Sequence, residues 1–159
     1  MEQLNTEGLA LVTRILAQAD EMTLATIRHD GSPHASTVHF VSEDMVLYAA
    51  IALDSGKAHD LGRDGRVALT VNAPYGNWNE IQGLSIDGVA EFITEPRELS
   101  FVSALLLHKF PAFKEIILPE ELPWPGMLFV RVTPRILTLL DYTRGFGHME
   151  TFDMRKQAP

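Results

Sequence analysis

The chain contains no cysteine, which removes disulfides, thiolate nucleophiles and zinc–thiolate sites together. It is also short of positive charge: 13 Lys and Arg face 21 Asp and Glu, a formal net charge of -8. Such a balance repels phosphate backbones and anionic lipid, so neither nucleic acid nor a membrane surface is expected as a partner. No run reaches the roughly 18 apolar residues that a bilayer span needs. The opening residues MEQLNTEG are acidic and polar, unlike a secretion signal, and the cytoplasm is the default location.

Several chemical signatures are missing as well. Six histidines are present, yet none falls in a His-x-x-x-His or His-Glu-x-x-His spacing, so no metal site is expected. His34 and His39 lie five apart, and odd spacing on a strand sends side chains to opposite faces. No Gly-x-Ser-x-Gly elbow marks a hydrolase. No Gly-x-Gly-x-x-Gly or Gly-x-x-x-x-Gly-Lys-Ser/Thr loop marks a dinucleotide or nucleoside-triphosphate site.

What is present reads as one domain, 1–159. The 46% hydrophobic and 21% charged residues are ordinary for a folded core. Leu9, Val12, Ile15, Leu16 and Ala19 recur at helical spacing, predicting an amphipathic helix over 4–19. Strands are expected over 22–28, 33–41 and 45–50, paired by short turns as a three-stranded meander, with Asp30-Gly31 at the first turn. A short helix over 55–63 and a strand over 66–72 follow. The segment 79–94 is a long strand whose Gly83 and Gly88 suggest bulges at barrel corners. Pro96 starts a helix that ends near Phe110. The proline-rich 118–126 is a loop, 127–133 and 135–142 are two closing strands, and the residues beyond Thr143 form a polar tail. The fold class is α+β: six or seven mostly antiparallel strands in a barrel, with helices outside.

Ser55-Gly56-Lys57 opens the short helix directly after a strand. Two readings stand side by side. Helix N-terminal amides, a hydroxyl and an ammonium suit a phosphate monoester. Alternatively, Ser55 is an N-cap and Lys57 a solvated helix residue.

Read in order, Asp30-Gly31-Ser32-Pro33-His34-Ala35, Val46-Leu47-Tyr48-Ala49, Ser55-Gly56-Lys57-Ala58, Arg66-Val67-Ala68-Leu69-Thr70-Val71 and Ile86-Asp87-Gly88-Val89-Ala90 resemble the pyridoxamine 5'-phosphate oxidase-like split-barrel superfamily. The resemblance implies a Greek-key split barrel and a homodimer with FMN in clefts between subunits. It further implies that His34, Ala35, Ser36, Thr37 and His39 lie on the flavin-lining strand, with Tyr48 and Ala49 flanking the flavin. Ser55, Gly56 and Lys57 would meet the phosphate, and Gln82 the ring edge. The family enzyme has arginine where this chain has Gly56, and a basic pair on the central strand where this chain has His34 and His39. Imidazoles titrate near neutrality, so phosphate binding would be pH-sensitive. The enzyme's C-terminal substrate signature is not recognisable after Trp124, so vitamin-B6 oxidation is not expected. The segment Tyr142 to His148 reads either as a substrate-side lid or as a surface tail packed on the partner. Trp78 and Trp124 are placed near loops as shields of the dimer interface.

The resulting expectation is an FMN-dependent oxidoreductase in which no side chain acts as catalytic acid or base, since the flavin carries the chemistry. The alternatives are a non-catalytic flavin-binding or stress-related protein, the same fold holding deazaflavin or haem with His34, His39 or His148 as axial ligand, and an empty structural dimer.

Overall fold

A computed structural model describes residues 1–156. Eight strands run in chain order: β1 Glu21–Ile27, β2 Pro33–His39, β3 Val41–Glu43, β4 Val46–Ala52, β5 Arg66–Asn72, β6 Gln82–Phe92, β7 Met127–Asp141 and β8 Met149–Asp153. Three helices accompany them: α1 Thr6–Gln18, α2 Gly56–Arg63 and α3 Pro96–Lys109. All strands join one antiparallel sheet in the order β2-β1-β5-β6-β7-β4-β3, with β8 added to β7. This is the expected α+β split-barrel fold. Among the described residues no helix is long and apolar enough to cross a membrane.

Of the expected three-stranded meander the first hairpin forms, β1 with β2 across the Asp30-Gly31 turn, but the third strand does not lie along β2. The segment predicted as one strand over 33–41 is bent at Phe40, which is fully buried and donates its N–H to Asp20 O at 3.2 Å. On one side of that residue β2 pairs with β1; on the other, β3 pairs with β4, and β4 pairs with β7. The two ends of the sheet are therefore joined through a single residue, which curls the sheet into a half-barrel. Burying an aromatic ring outweighs continuing a flat meander. Lys109, at the end of α3, secures the bend: its Nζ donates to Ala19 O at 2.6 Å and Phe40 O at 3.1 Å, 4.5 Å from the Phe40 ring centroid. Burial lowers the pKa of this ammonium. The β3–β4 turn uses Asp44 and Met45, both at positive φ, as the primed hairpin turns require.

The two closing strands expected around Pro134 are one strand, β7. Gly88 pairs with Pro134 while Asp87 pairs with Ile136, so Arg135 is the extra residue of a bulge. Proline lacks the N–H a regular ladder needs, and the bulge absorbs it. A Cβ on Gly88 would meet Thr133 O at 2.6 Å, so the close approach demands glycine. Gly83, the other expected corner, pairs in regular register. The polar tail beyond Thr143 contributes β8, a strand given no place in the sequence reading, whose Phe152 is buried against the core.

Alternation along β4 divides the interior in two. Leu47, Ala49 and Ile51 point into the barrel with Leu24, Ile86 and Leu137, and α1 closes this cluster with Val12, Ile15 and Leu16. Tyr48 faces the other way, into a layer under α3 with Val102, Leu106 and Phe129. Trp124 belongs to that layer too, 1% exposed with its Nε1–H donated to Ser103 Oγ at 3.0 Å, so it is core and no interface shield.

Candidate functional site

β2 ends the sheet with one strand neighbour, so about half of its peptide groups point away from β1 toward no strand. Its burial alternates. Odd positions Ala35, Thr37 and His39 are exposed, while His34, Ser36 and Val38 turn inward. His34 packs against α2, and His39 packs edge-on against Phe110 and Phe113 at 5.2 and 6.3 Å. The opposite-face expectation for these two histidines therefore holds, and a strand rise of about 3.3 Å per residue separates their backbones by roughly 16 Å.

α2 begins beside His34. Ser55 is its N-cap, the hydroxyl accepting from Ala58 N–H at 3.2 Å and donating to Ala52 O at 2.7 Å. Capping leaves other first-turn amides without an intrahelical acceptor, beside the half-buried Lys57. A Cβ placed on Gly56 would lie 3.4 Å from His34 Cε1, so the imidazole sits against the first turn of α2. Space that an arginine would take in the family enzyme is bordered here by a histidine ring.

Behind the ring lies Asp60, 6% exposed on the inner side of α2. Its Oδ2 accepts from Thr26 Oγ1 at 2.7 Å and lies 3.2 Å from His34 Nδ1, while Arg63 reaches Oδ1 at 3.5 Å. Arg63 also donates to Ile27 O at 2.7 Å, tying α2 to the end of β1. Desolvation pushes the Asp60 pKa up, but the hydrogen bonds from Thr26, His34 and Arg63 outweigh it, and the net direction is down. Sequence reasoning missed this residue. A lone aspartate in a short polar helix carries no signal of its own.

Gln82 stands at another place. It opens β6, donates to Asp141 Oδ1 at 3.1 Å and accepts from Arg14 of α1 at 2.9 Å. Asp141 also takes the N–H and hydroxyl of Thr143; desolvation pushes its pKa up, but the hydrogen bonds from Thr143 and Gln82 outweigh it and the net direction is down. Glu7, Leu11, Arg14, Gln82, Thr143 and Arg144 border an open cavity of about 600 Å³. Beside it the exposed ring of Phe146 meets the exposed Trp78 edge-on and the half-buried Tyr142 at a tilt. Within one chain this group is far from Lys57. Gln82 is three strands from β2, about 14 Å, and His34 lies level with Gly88, some six residues or roughly 20 Å along β6. Tyr48 is buried under α3, 6.0 Å from Phe101, where desolvation raises its pKa, and Ala49 points into the barrel. The side chains of these two neighbours thus face opposite ways.

A half-barrel with an open edge strand beside a helix N-terminus defines the class of fold to which this chain belongs. The family model described as pyridoxamine 5'-phosphate oxidase matches residues 10–133, and the chain belongs to that family. A conserved hypothetical protein from Mycobacterium tuberculosis has a similar structure, at 24% identity and a TM-score of 0.74, over 94% of this chain and 96% of that one. The haem-binding protein from Mycobacterium smegmatis superposes at 19% identity and 0.76, over 96% of this chain and 60% of that one. HutZ, the haem storage protein from Vibrio cholerae, does so at 17% and 0.66, over 96% and 95%. These likenesses are of fold. No curated protein matches in sequence.

Proposed function

We propose that the protein binds FMN as a homodimer and serves as a flavin-dependent oxidoreductase. The observation that carries this reading is the juxtaposition, in a chain of this family, of an edge strand with free peptide groups and the Ser55–Gly56–Lys57 turn. The donor set fits the group. Peptide N–H and C=O groups of β2 suit the polar edge of a planar heterocycle, and the first-turn amides with the Lys57 ammonium suit a phosphate monoester. Lys57 would bind the phosphate, His34 to Thr37 would line the ring, and bound flavin would supply hydride or electron transfer.

The separation of Gln82 from Lys57 supports the dimer. A single flavin can touch both only if they come from different copies, the strand edge of one meeting the Gln82 cavity of the other. Titrating FMN into the cofactor-free protein, with visible absorbance, fluorescence and oligomeric state recorded, tests the reading. One flavin per chain of a dimer, bleached by reductant and restored by air, is the expected result; no binding would overturn it. Flavin that binds but never cycles would leave a non-catalytic binder.

One observation favours a second reading. Among the described residues His148 Nε2 is buried without a hydrogen-bond partner, with the carboxylate oxygen Glu150 Oε1 at 3.6 Å. A free imidazole nitrogen suits an axial iron position, and haem is named for two proteins of similar fold. A Soret band on adding haemin, abolished by His148→Ala, would replace FMN with haem.

A further inference from the structure

Resting on the reading of this turn as the flavin site, we infer that Asp60 is a positioning residue: it holds His34 as the Nδ1–H imidazole and leaves Nε2 as a hydrogen-bond acceptor for the bound molecule. The argument starts from what each group can donate. An ionised carboxylate only accepts, so a 3.2 Å contact between His34 Nδ1 and Asp60 Oδ2 requires the proton on Nδ1. Thr26 Oγ1 donates to the same oxygen at 2.7 Å, and Arg63, a pure donor, approaches the other. The lowered pKa of Asp60 keeps it ionised across the neutral range.

The ring is anchored on one side only. A Cβ placed on Gly56 would meet its Cε1 at 3.4 Å and Nδ1 at 3.8 Å, so the Nδ1 side of the ring lies against α2 and Nε2 is the nitrogen farther from that turn. Among the described residues Nε2 has no hydrogen bond, and the side chain is 26% exposed. The charged and titratable groups on the elements packed around it are Lys57, His59, Asp60 and Arg63 of α2, Glu21 and His39 paired at the far end of β1 and β2, and, just beyond β1, Arg28, whose guanidinium is turned to Pro33 O. His59 Nδ1 lies 2.9 Å from Ser55 O. Asp60 is thus the one carboxylate in contact with the ring among the described residues.

A neutral imidazole with the proton on Nδ1 cannot donate from Nε2. His34 therefore takes a hydroxyl or N–H of the ligand, and the phosphate is left to Lys57 and the helix amides. This changes the role that position-by-position analogy implies, in which His34 replaces a basic residue.

The test reads the ring directly. Long-range 1H–15N spectra of the full-length protein near pH 8, assigned through His34→Gln, should show His34 in the Nδ1–H tautomer. In Asp60→Asn, Arg63 favours the amide oxygen at the Oδ1 position, so the NH2 group faces His34 and the tautomer should switch to Nε2–H. Thr26→Val, which keeps the carboxylate, should leave the tautomer as it is, and Asp60→Ser, which removes it, should end the exclusive Nδ1–H form where Asn does not fold. Riboflavin and FMN affinities should both fall roughly three- to tenfold in Asp60→Asn, the equivalent of one neutral hydrogen bond. An Nε2–H ring in the wild type, or no difference between wild type and Asp60→Asn, would overturn the inference, as would a loss confined to FMN. If the wild type binds neither flavin, the proposed function fails while the spectra still decide what Asp60 does to His34.

Discussion

Two buried carboxylates organise two ends of the molecule, and they do so differently. Asp141 gathers donors that are mostly local: Thr143, two residues on, supplies an N–H and a hydroxyl, and only Gln82 comes from another strand. Asp60 gathers Thr26, His34 and Arg63, from β1, β2 and its own helix, and its contacts to the strands exist only because the half-barrel brings them to α2. The first arrangement is a turn that happens to border a cavity. The second is a tertiary junction that fixes an imidazole at the edge of the sheet. A carboxylate served by local donors can be replaced partly by water when lost, whereas one buried among three elements leaves its partners stranded.

The comparison is broken most directly by deleting each carboxylate. Asp60→Ala should cost about 3 kcal/mol in urea unfolding, because Thr26 and the inner edge of His34 lose their acceptor away from water. Asp141→Ala should cost about 1 kcal/mol, since Thr143 is exposed. Equal costs would show that burial, rather than the source of the donors, sets the penalty.

Ligand binding sharpens the same contrast. Lys57→Ala should weaken FMN binding by about 1.5–3 kcal/mol, the range for a lost charge-assisted hydrogen bond, without changing the unfolding midpoint. Gln82→Ala should cost about 1 kcal/mol of affinity. Because these residues are proposed to serve one flavin from different copies, mixing Lys57→Ala chains with Gln82→Ala chains should regenerate one intact site per mixed dimer. After statistical subunit exchange of equal amounts about half of the dimers are mixed, so roughly a quarter of the wild-type high-affinity flavin is expected; none would place both residues on one chain's site.

The smallest effect is on acid stability. Both Asp60 and Asp141 have pKa values lowered on folding, so their stabilising contribution is complete above the unfolded carboxylate value, about 3.9. It is lost as pH falls through the lower folded values. Unfolding midpoints should be flat from pH 7 to 5 and decline below about 4, with a shallower decline in Asp141→Asn. A decline beginning near pH 6 would point instead to histidine protonation.

The element inventory was largely legible because it depends on short-range patterns. Helical spacing from Leu9 to Ala19, the Asp30-Gly31 turn, the alternation of Arg66 to Asn72 and Pro96 at a helix start all act within a few residues. The ordered motifs likewise led to the family. The strand pairing beyond the first hairpin was not legible, because a one-residue bend at Phe40 reroutes β3 and β4, and only the packed core makes burying that ring favourable. Pro134 was read as a strand break because its missing N–H was visible, but the Arg135 bulge that accommodates it depends on Gly88 across the ladder.

The candidate site divides along the same line. Ser55, Gly56 and Lys57 are contiguous, and their spacing at a helix start determined in advance that they would share one turn. That His34 would border this turn, that Asp60 would stand behind it, and that Gln82 would lie roughly 24 Å away followed only from the sheet order and the strand spacing. Local propensity is set by each residue and its neighbours, whereas these relations join residues 22 to 48 positions apart. They exist only once burial of the barrel interior has fixed which strands are adjacent.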